Sequence, residues 1–178
     1  MDKDLTSKSK YLSYLLRHKP ESIGLELDEA GWVLVDQIIA LTELTHPIIE
    51  EIVFTNDKQR FAFSSDGRKI RANQGHSVQG VDIGYEMRTP PDMLYHGTVE
   101  KFLDSIRSDG LQKMARHHVH LSATIDTAKN VGSRRGKPVV LVVDSASMHA
   151  DGFEFYLSAN GVWLTDCVPT KYIQTDAL

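Results

Sequence analysis

The chain has 178 residues, 41% of them hydrophobic, which is enough to bury a real core in one domain or two small lobes. Charged residues make up 25%, so disorder is not expected, and a formal net charge of -4 excludes nucleic-acid binding through bulk positive charge; any such function must rest on a local cluster of Arg and Lys. The single cysteine, Cys167, can form neither an internal disulfide nor a Cys-based metal site. With a polar start at Met1-Asp2-Lys3-Asp4, no signal-peptide pattern and no apolar run near the ~20 residues of a membrane span, the chain is expected to be cytoplasmic.

The spacing of Leu12, Leu15 and Leu16 predicts a helix over Ser7–Arg17, ended by the basic turn Arg17-His18-Lys19 and Pro20. An alternating stretch, Ile23 to Leu27, leads to a turn at Asp28-Glu29-Ala30-Gly31 and a strand at Trp32–Val35. Asp36 is expected to cap a helix carrying Ile38, Ile39 and Leu41. A further helix starts at Thr45-His46-Pro47, where proline is tolerated, with Ile48, Ile49, Ile52 and Val53 apolar. Phe61–Phe63 and Lys69–Ala72 flank the turn Ser64-Ser65-Asp66-Gly67 as a hairpin. Helices followed by a hairpin read as a winged-helix-like lobe.

Tyr85 to Asp92, with Pro90-Pro91, is the expected boundary between lobes, giving 1–88 and 92–178. Beyond it come a strand at Met93–His96, a helix over Val99–Asp109 closed by Gly110, a short strand at Val119–Ser122 and a short helix at Ile125–Asn130. The β-branched run Val139–Val143 is expected to be a buried central strand. Strands at Phe153–Leu157 and Val162–Leu164 are joined by a turn at Ala159-Asn160-Gly161. The fold class is α+β in two lobes, the second strand-rich with two helices.

Five segments carry residue types suited to chemistry. Arg17-His18 sits where a helix ends; arginine offers a planar fork of donors for phosphate, but cations in a last turn also simply complement the helix dipole. Lys69 to Ser77 gathers two cations, two amides, a histidine, a hydroxyl and a glycine, with Lys69 and Arg71 on one strand face; an anion site and an exposed polar loop explain it equally well. In Leu94 to Thr98, Gly97 would let a ligand approach the backbone and His96 and Thr98 share a side, although a strand-end turn explains these residues too. Arg116 to Ser122 holds three histidines. His118 and His120 would share a face, yet nothing nearby completes a ligand set, so no metal is expected. Gly132 to Pro138 is basic and glycine-flanked, and a solvated loop is the simpler reading.

In this order, the five segments resemble the RNA 2'-phosphotransferase family, the KptA-like enzymes whose eukaryotic members complete tRNA splicing. The likeness runs from Ser9-Lys10-Tyr11-Leu12-Ser13 to Asn160–Thr165 and Val168-Pro169. It rests on Leu16-Arg17-His18-Lys19-Pro20, Ile70 to Ser77, Tyr95 to Thr98, His118 to Ser122 and Gly132-Ser133-Arg134. The resemblance implies an N-terminal winged-helix-like lobe that holds RNA and a C-terminal ADP-ribosyltransferase-like mixed β lobe that holds NAD. It implies a catalytic group of Arg17, His18, Arg71 and Arg134. Arg135 is adjacent, and the first arginine after Gly132-Ser133 fits better. An NAD-binding set maps to His96, His120 and Val162, with Gly97, Thr98 and Ser122 as further contacts.

The implied reaction passes an internal RNA 2'-phosphate to NAD, a co-substrate, in two steps through an ADP-ribosylated phosphate. It yields 2'-hydroxyl RNA, ADP-ribose 1'',2''-cyclic phosphate and nicotinamide. A monomer acting on tRNA-like RNA, with no membrane, metal or obligate protein partner, is the expectation. Two alternatives differ in outcome. An ADP-ribosyltransferase on nucleic-acid ends or protein would leave a stable adduct, and a non-catalytic winged-helix module would leave the histidine motifs of the second lobe without a use.

Overall fold

The computed structural model describes residues 3–174; Met1-Asp2 and the end of the expected second lobe, 175–178, lie outside the described residues. The chain divides into two compact units, Met1–Gly84 and Tyr85–Leu178. It is a mixed α+β protein of helices and several small antiparallel sheets.

The first unit opens with helix α1, Lys3–Arg17. It starts before the expected Ser7 because Leu5 continues the buried stripe and Lys8 pairs with Asp4 one turn back at 2.6 Å. A 3₁₀ turn, Pro20–Ile23, follows. Strand β1 is only Val33–Leu34, because Val35 already opens helix α2, Val35–Leu41. Asp36 is therefore not the cap. Leu34 holds that position without a side-chain bond, and Asp36 lies in the first turn, where a carboxylate favours the positive end of the helix. Helix α3, His46–Phe54, begins as expected, with Pro47 in its first turn. Strands β2 (Phe61–Phe63) and β3 (Lys69–Ala72) form the expected hairpin, and β1 pairs with the other edge of β3. The buried stripes of α1, α2 and α3 meet Val33, Phe61 and Ile70 in one core.

The second unit begins with strand β4, Glu86–Met87, inside the segment read as a boundary; it pairs with β9. Strand β5, Met93–Val99, runs three residues beyond expectation. The helix after it starts as a 3₁₀ turn, Glu100–Phe102, and continues as α4, Leu103–Asp109. Strand β6 (Leu111–Gln112), strand β7 (Val119–Leu121) and helix α5 (Ile125–Gly132) come next. Strand β8, Pro138–Asp144, pairs along its length with β5. Among the described residues its other edge makes an isolated bridge, Val143 to Ile173, with the Gln174 N–H donating to the Val142 carbonyl at 2.9 Å, so the expected central strand is paired along its length on one edge only; within the run Leu141 and Val143 are fully buried. Its apolar side chains are shared between the core and helix α5, so a continuous β-branched run arose without a strand on both sides.

A third helix, α6 (Ser145–Ala150), follows, where two helices were expected in this part of the chain. Its signal lies in the sequence: Asp144 accepts the Ser147 N–H at 3.0 Å as a cap. Strands β9 (Tyr156–Leu157) and β10 (Trp163–Thr165) form the expected hairpin, and β11 (Cys167–Val168) pairs with β6. One sheet runs β4-β9-β10-β7. No helix among the described residues is long and apolar enough to cross a membrane.

Candidate functional site

In the first unit, Arg17 and His18 meet segment 73–77 at Ser77. Arg17 is the last residue of α1, and its carbonyl accepts the Ser77 N–H at 2.8 Å. The neighbouring His18 Nδ1 lies 2.9 Å from Ser77 Oγ. One residue thus fixes both the helix end and the imidazole orientation. Ser77 was in the sequence motif but had no role there. The segment is not an exposed polar loop: Asn73, Gly75 and His76 are buried. Asn73 is used structurally, donating its side-chain amide to the Gln59 carbonyl at 2.6 Å.

Lys69 and Arg71 lie two apart on β3 and both engage the turn at 28–32. Lys69 Nζ meets Asp28 Oδ2 at 3.2 Å, and Arg71 Nη1 donates to the Ala30 carbonyl at 3.4 Å. The Arg71 guanidinium carbon lies 4.5 Å from the centre of the Trp32 ring. Burial pushes the Asp28 carboxyl up, but the Trp32 N–H and Lys69 more than offset it, leaving it below its usual range. Trp32 was legible as a strand residue only, since nothing in the sequence pairs it with Arg71.

In the second unit, β5 and β7 are locked by a reciprocal pair of bonds between Tyr95 and Ser122, at 2.9 and 2.7 Å. This sets His96 Nδ1 3.0 Å from the His120 carbonyl. A carbonyl only accepts, so Nδ1 carries the proton. Burial first, then the charges of Arg116 and Arg135, hold the His96 pKa below its ordinary 6.5 against the opposing His120 carbonyl. The ring is therefore neutral near pH 7 and its Nε2 is an acceptor.

Thr98, buried, alternates onto the same side of β5 as His96. The register Trp163 to Leu121 puts Val162 and Ser122 together just past the end of the β10–β7 pairing. His96 thus meets His120 through its carbonyl, while Ser122 pairs with Tyr95 on β5 and lies opposite Val162.

Gly97 has a different neighbour from the one expected. A Cβ there would lie 1.8 Å from the Ala128 carbonyl oxygen, so what approaches this backbone is helix α5. The His118 ring sits between Tyr85 and Tyr156, with centroids at 5.7 and 5.6 Å.

Arg134 and Arg135 occupy a short 3₁₀ turn after α5, exposed, with Arg135 5.8 Å from the Phe102 ring centre. Desolvation, and then the charges of Arg135 and Arg134, lower the pKa of Arg116. An arginine stays protonated regardless, so the like charges amount to repulsion that a bound anion would relieve. Arg116 belonged to a recognised motif, but its approach to residues 134 and 135 is a tertiary fact.

Two kinds of similarity to known proteins accompany this geometry. The family model "RNA 2'-phosphotransferase, Tpt1 / KptA family" matches residues 3–167. The chain is 55% identical over 177 residues to a "Probable RNA 2'-phosphotransferase" of Rhodopirellula baltica, covering 97% of this chain and 96% of that protein. It is 52% identical over 176 residues to one of Burkholderia lata, covering 96% and 91%. With one of Streptomyces coelicolor it shares 51% over 183 residues, covering 99% of each. Similarity of this extent, over both units, means that the chain belongs to the RNA 2'-phosphotransferase family of transferases.

Proposed function

We propose that this protein removes an internal 2'-phosphate from RNA by passing it to NAD. The observation that carries the reading is the placement of His18 and Arg71 within the first unit, His18 beside the Ser77 hydroxyl at the end of the helix that Arg17 closes, and Arg71 held by the Ala30 carbonyl and the Trp32 ring. In this reading the first unit, Met1–Gly84, is a winged-helix-like lobe that holds RNA, and the second, Tyr85–Leu178, is an ADP-ribosyltransferase-like lobe that holds NAD.

The residues of the second unit fit such a co-substrate. Arg116 and Arg135 supply crowded positive charge for a diphosphate, and neutral His96 presents an acceptor to a hydroxyl. Thr98, His120, Ser122 and Val162 complete the contacts, and Gly97 contributes by letting α5 close on β5.

A 2'-phosphate is already anionic near neutral pH, so the first step asks for placement rather than deprotonation. Arg17, Arg71 and Arg134 hold the phosphate while one of its oxygens bonds to C1'' of the nicotinamide ribose and the bond to nicotinamide breaks. In the second step the neighbouring 2''-hydroxyl attacks phosphorus and the bond to the RNA 2'-oxygen breaks. A proton leaves the 2''-hydroxyl and one reaches the RNA oxygen. His18, oriented by Ser77, is the group suited to move it, and the arginines stabilise the crowded charge at phosphorus.

The test is a short RNA with one internal 2'-phosphate, incubated with and without NAD in the presence of EDTA. The expected products are 2'-hydroxyl RNA and ADP-ribose 1'',2''-cyclic phosphate. No NAD-dependent loss of phosphate overturns the proposal. A stable ADP-ribosylated RNA would identify an enzyme that stops after the first step.

A further inference from the structure

The turn before β1 is organised by one carboxylate. Asp28 Oδ1 accepts the N–H of Ala30 at 3.1 Å and that of Trp32 at 2.8 Å. The Asp28 N–H donates to the Trp32 carbonyl at 2.9 Å, and the Gly31 N–H to the Asp28 carbonyl at 2.8 Å. Gly31 closes the turn at φ +77°, and a Cβ there would lie 3.0 Å from Ile83 Cδ1 and 3.2 Å from Val81 Cγ1. Positive φ and crowding together make glycine the fitting residue. Lys69, paired with Asp28 Oδ2 at 3.2 Å, ties this turn to β3 two residues before Arg71.

The turn aims two groups at Arg71. The Arg71 guanidinium carbon lies over the Trp32 ring, 4.5 Å from its centre, and the Ala30 carbonyl engages Nη1 at 3.4 Å. A guanidinium carries five N–H donors in one plane. With the group over the indole and one amino group spoken for, the rest of the fork is directed by the turn. Arg71 Nε is buried and makes no hydrogen bond among the described residues. A donor so placed is prepared for an acceptor that is not protein. Without the ring and carbonyl, a long side chain on a strand would sample many rotamers.

We infer that the Asp28–Trp32 turn is the device that orients Arg71 toward phosphate, with Trp32 and Asp28 as positioning residues. The inference rests on the proposed reading of Arg71 as a phosphate ligand. It assigns the turn a part in substrate recognition although none of its side chains need touch the RNA.

The experiment has a structural arm and a kinetic arm. The structural arm follows the Arg71 side-chain Nε–H signal by NMR, assigned by its loss in Arg71→Lys. In the wild type it is shifted upfield by the indole ring and is ordered. Trp32→Phe keeps both properties; Trp32→Leu, which keeps apolar bulk but no ring, loses both. Asp28→Asn, still an acceptor for the turn, stays near wild type, whereas Asp28→Ala follows Trp32→Leu.

The kinetic arm measures removal of an RNA 2'-phosphate. Trp32→Leu lowers kcat about tenfold with KM for NAD unchanged, and Trp32→Phe stays within about threefold. In an Arg71→Ala background, Trp32→Leu adds less than about twofold, because its effect runs through Arg71. A Trp32→Leu protein with wild-type Arg71 signal and kcat overturns the inference. So does a loss that persists undiminished without Arg71, which marks a merely structural tryptophan. If Trp32→Leu releases the Arg71 signal while Arg71→Ala leaves phosphate removal intact, the positioning stands and the reading of Arg71 as phosphate ligand falls.

Discussion

The two units hold their arginines in opposite ways. In the first, Arg71 is half-buried, laid on Trp32 and bonded to Ala30, and the carbonyl of Arg17 is bound by Ser77. In the second, Arg134 and Arg135 project from a short 3₁₀ turn and are exposed. The first arrangement spends its ordering entropy during folding, so a phosphate would meet donors already in place. The second leaves side chains that a ligand must order on arrival. A static cation group suits a step in which geometry at phosphorus is decisive, and a looser one suits a turn that must admit and release a nucleotide.

Arg71→Ala tests the ordered half of this contrast most severely. Under the proposed function it should lower kcat/KM for 2'-phosphate removal about a hundredfold to a thousandfold, as for loss of one preorganised oxyanion donor. A fall of only a few-fold would mean that preorganisation there serves something other than the transition state.

The packing half is tested next by Gly97→Ala. The added Cβ would lie 1.8 Å from the Ala128 carbonyl oxygen, so α5 must move off β5. The expected cost is about 3 kcal/mol, read as a lowered melting temperature. An unaffected melting temperature would show that α5 gives way readily, and the 3₁₀ turn that follows it with it.

Arg134→Ala sharpens the comparison from the other side. Under the proposed function Arg134 is ordered by its ligand on arrival, so its removal should cost about tenfold to a hundredfold in kcat/KM, less than Arg71→Ala. Equal losses at the two positions would erase the distinction drawn between ordered and exposed arginines.

The smallest effect concerns pH. The His96 pKa is depressed in the folded protein, chiefly by burial, so the unfolded chain binds this proton more readily. Above the ordinary value of 6.5 the ring is neutral in both states and contributes no pH dependence. As pH falls from 6.5 toward the folded value, stability declines, and below that value the loss is complete. Melting temperature measured against pH should show this acid-side decline in the wild type and less of it in His96→Asn. Identical profiles would remove His96 as its source.

Much of the secondary structure was legible because local rules govern it. The leucine stripe of α1, the proline start of α3 and the turn residues of the β2–β3 hairpin each imposed what they predicted. Asp36 failed as a cap because Val35 had already entered the helix, one residue earlier than strand periodicity allowed. Val139–Val143 failed as a central strand because a β-branched run reports burial, not what does the burying. Here helix α5 packs against the strand, and among the described residues its second edge is met by Ile173 and Gln174 alone. Helix α6 went unread although its Asp144 cap was in plain view, since six residues leave little periodicity.

The sequence by itself determined the residue types and their order, and through them the family. It could do so because a motif survives as a string of letters. Tertiary structure alone decided that Ser77 orients His18, that Trp32 and Ala30 direct Arg71, that Arg116 crowds Arg134 and Arg135, and that Gly97 is small for the sake of α5. Those partners stand 18 to 59 positions apart along the chain, for instance His18 and Ser77 with a separation of 59. No local periodicity reaches so far; only the packing of a core brings such residues within the few ångströms over which hydrogen bonds and ring contacts act.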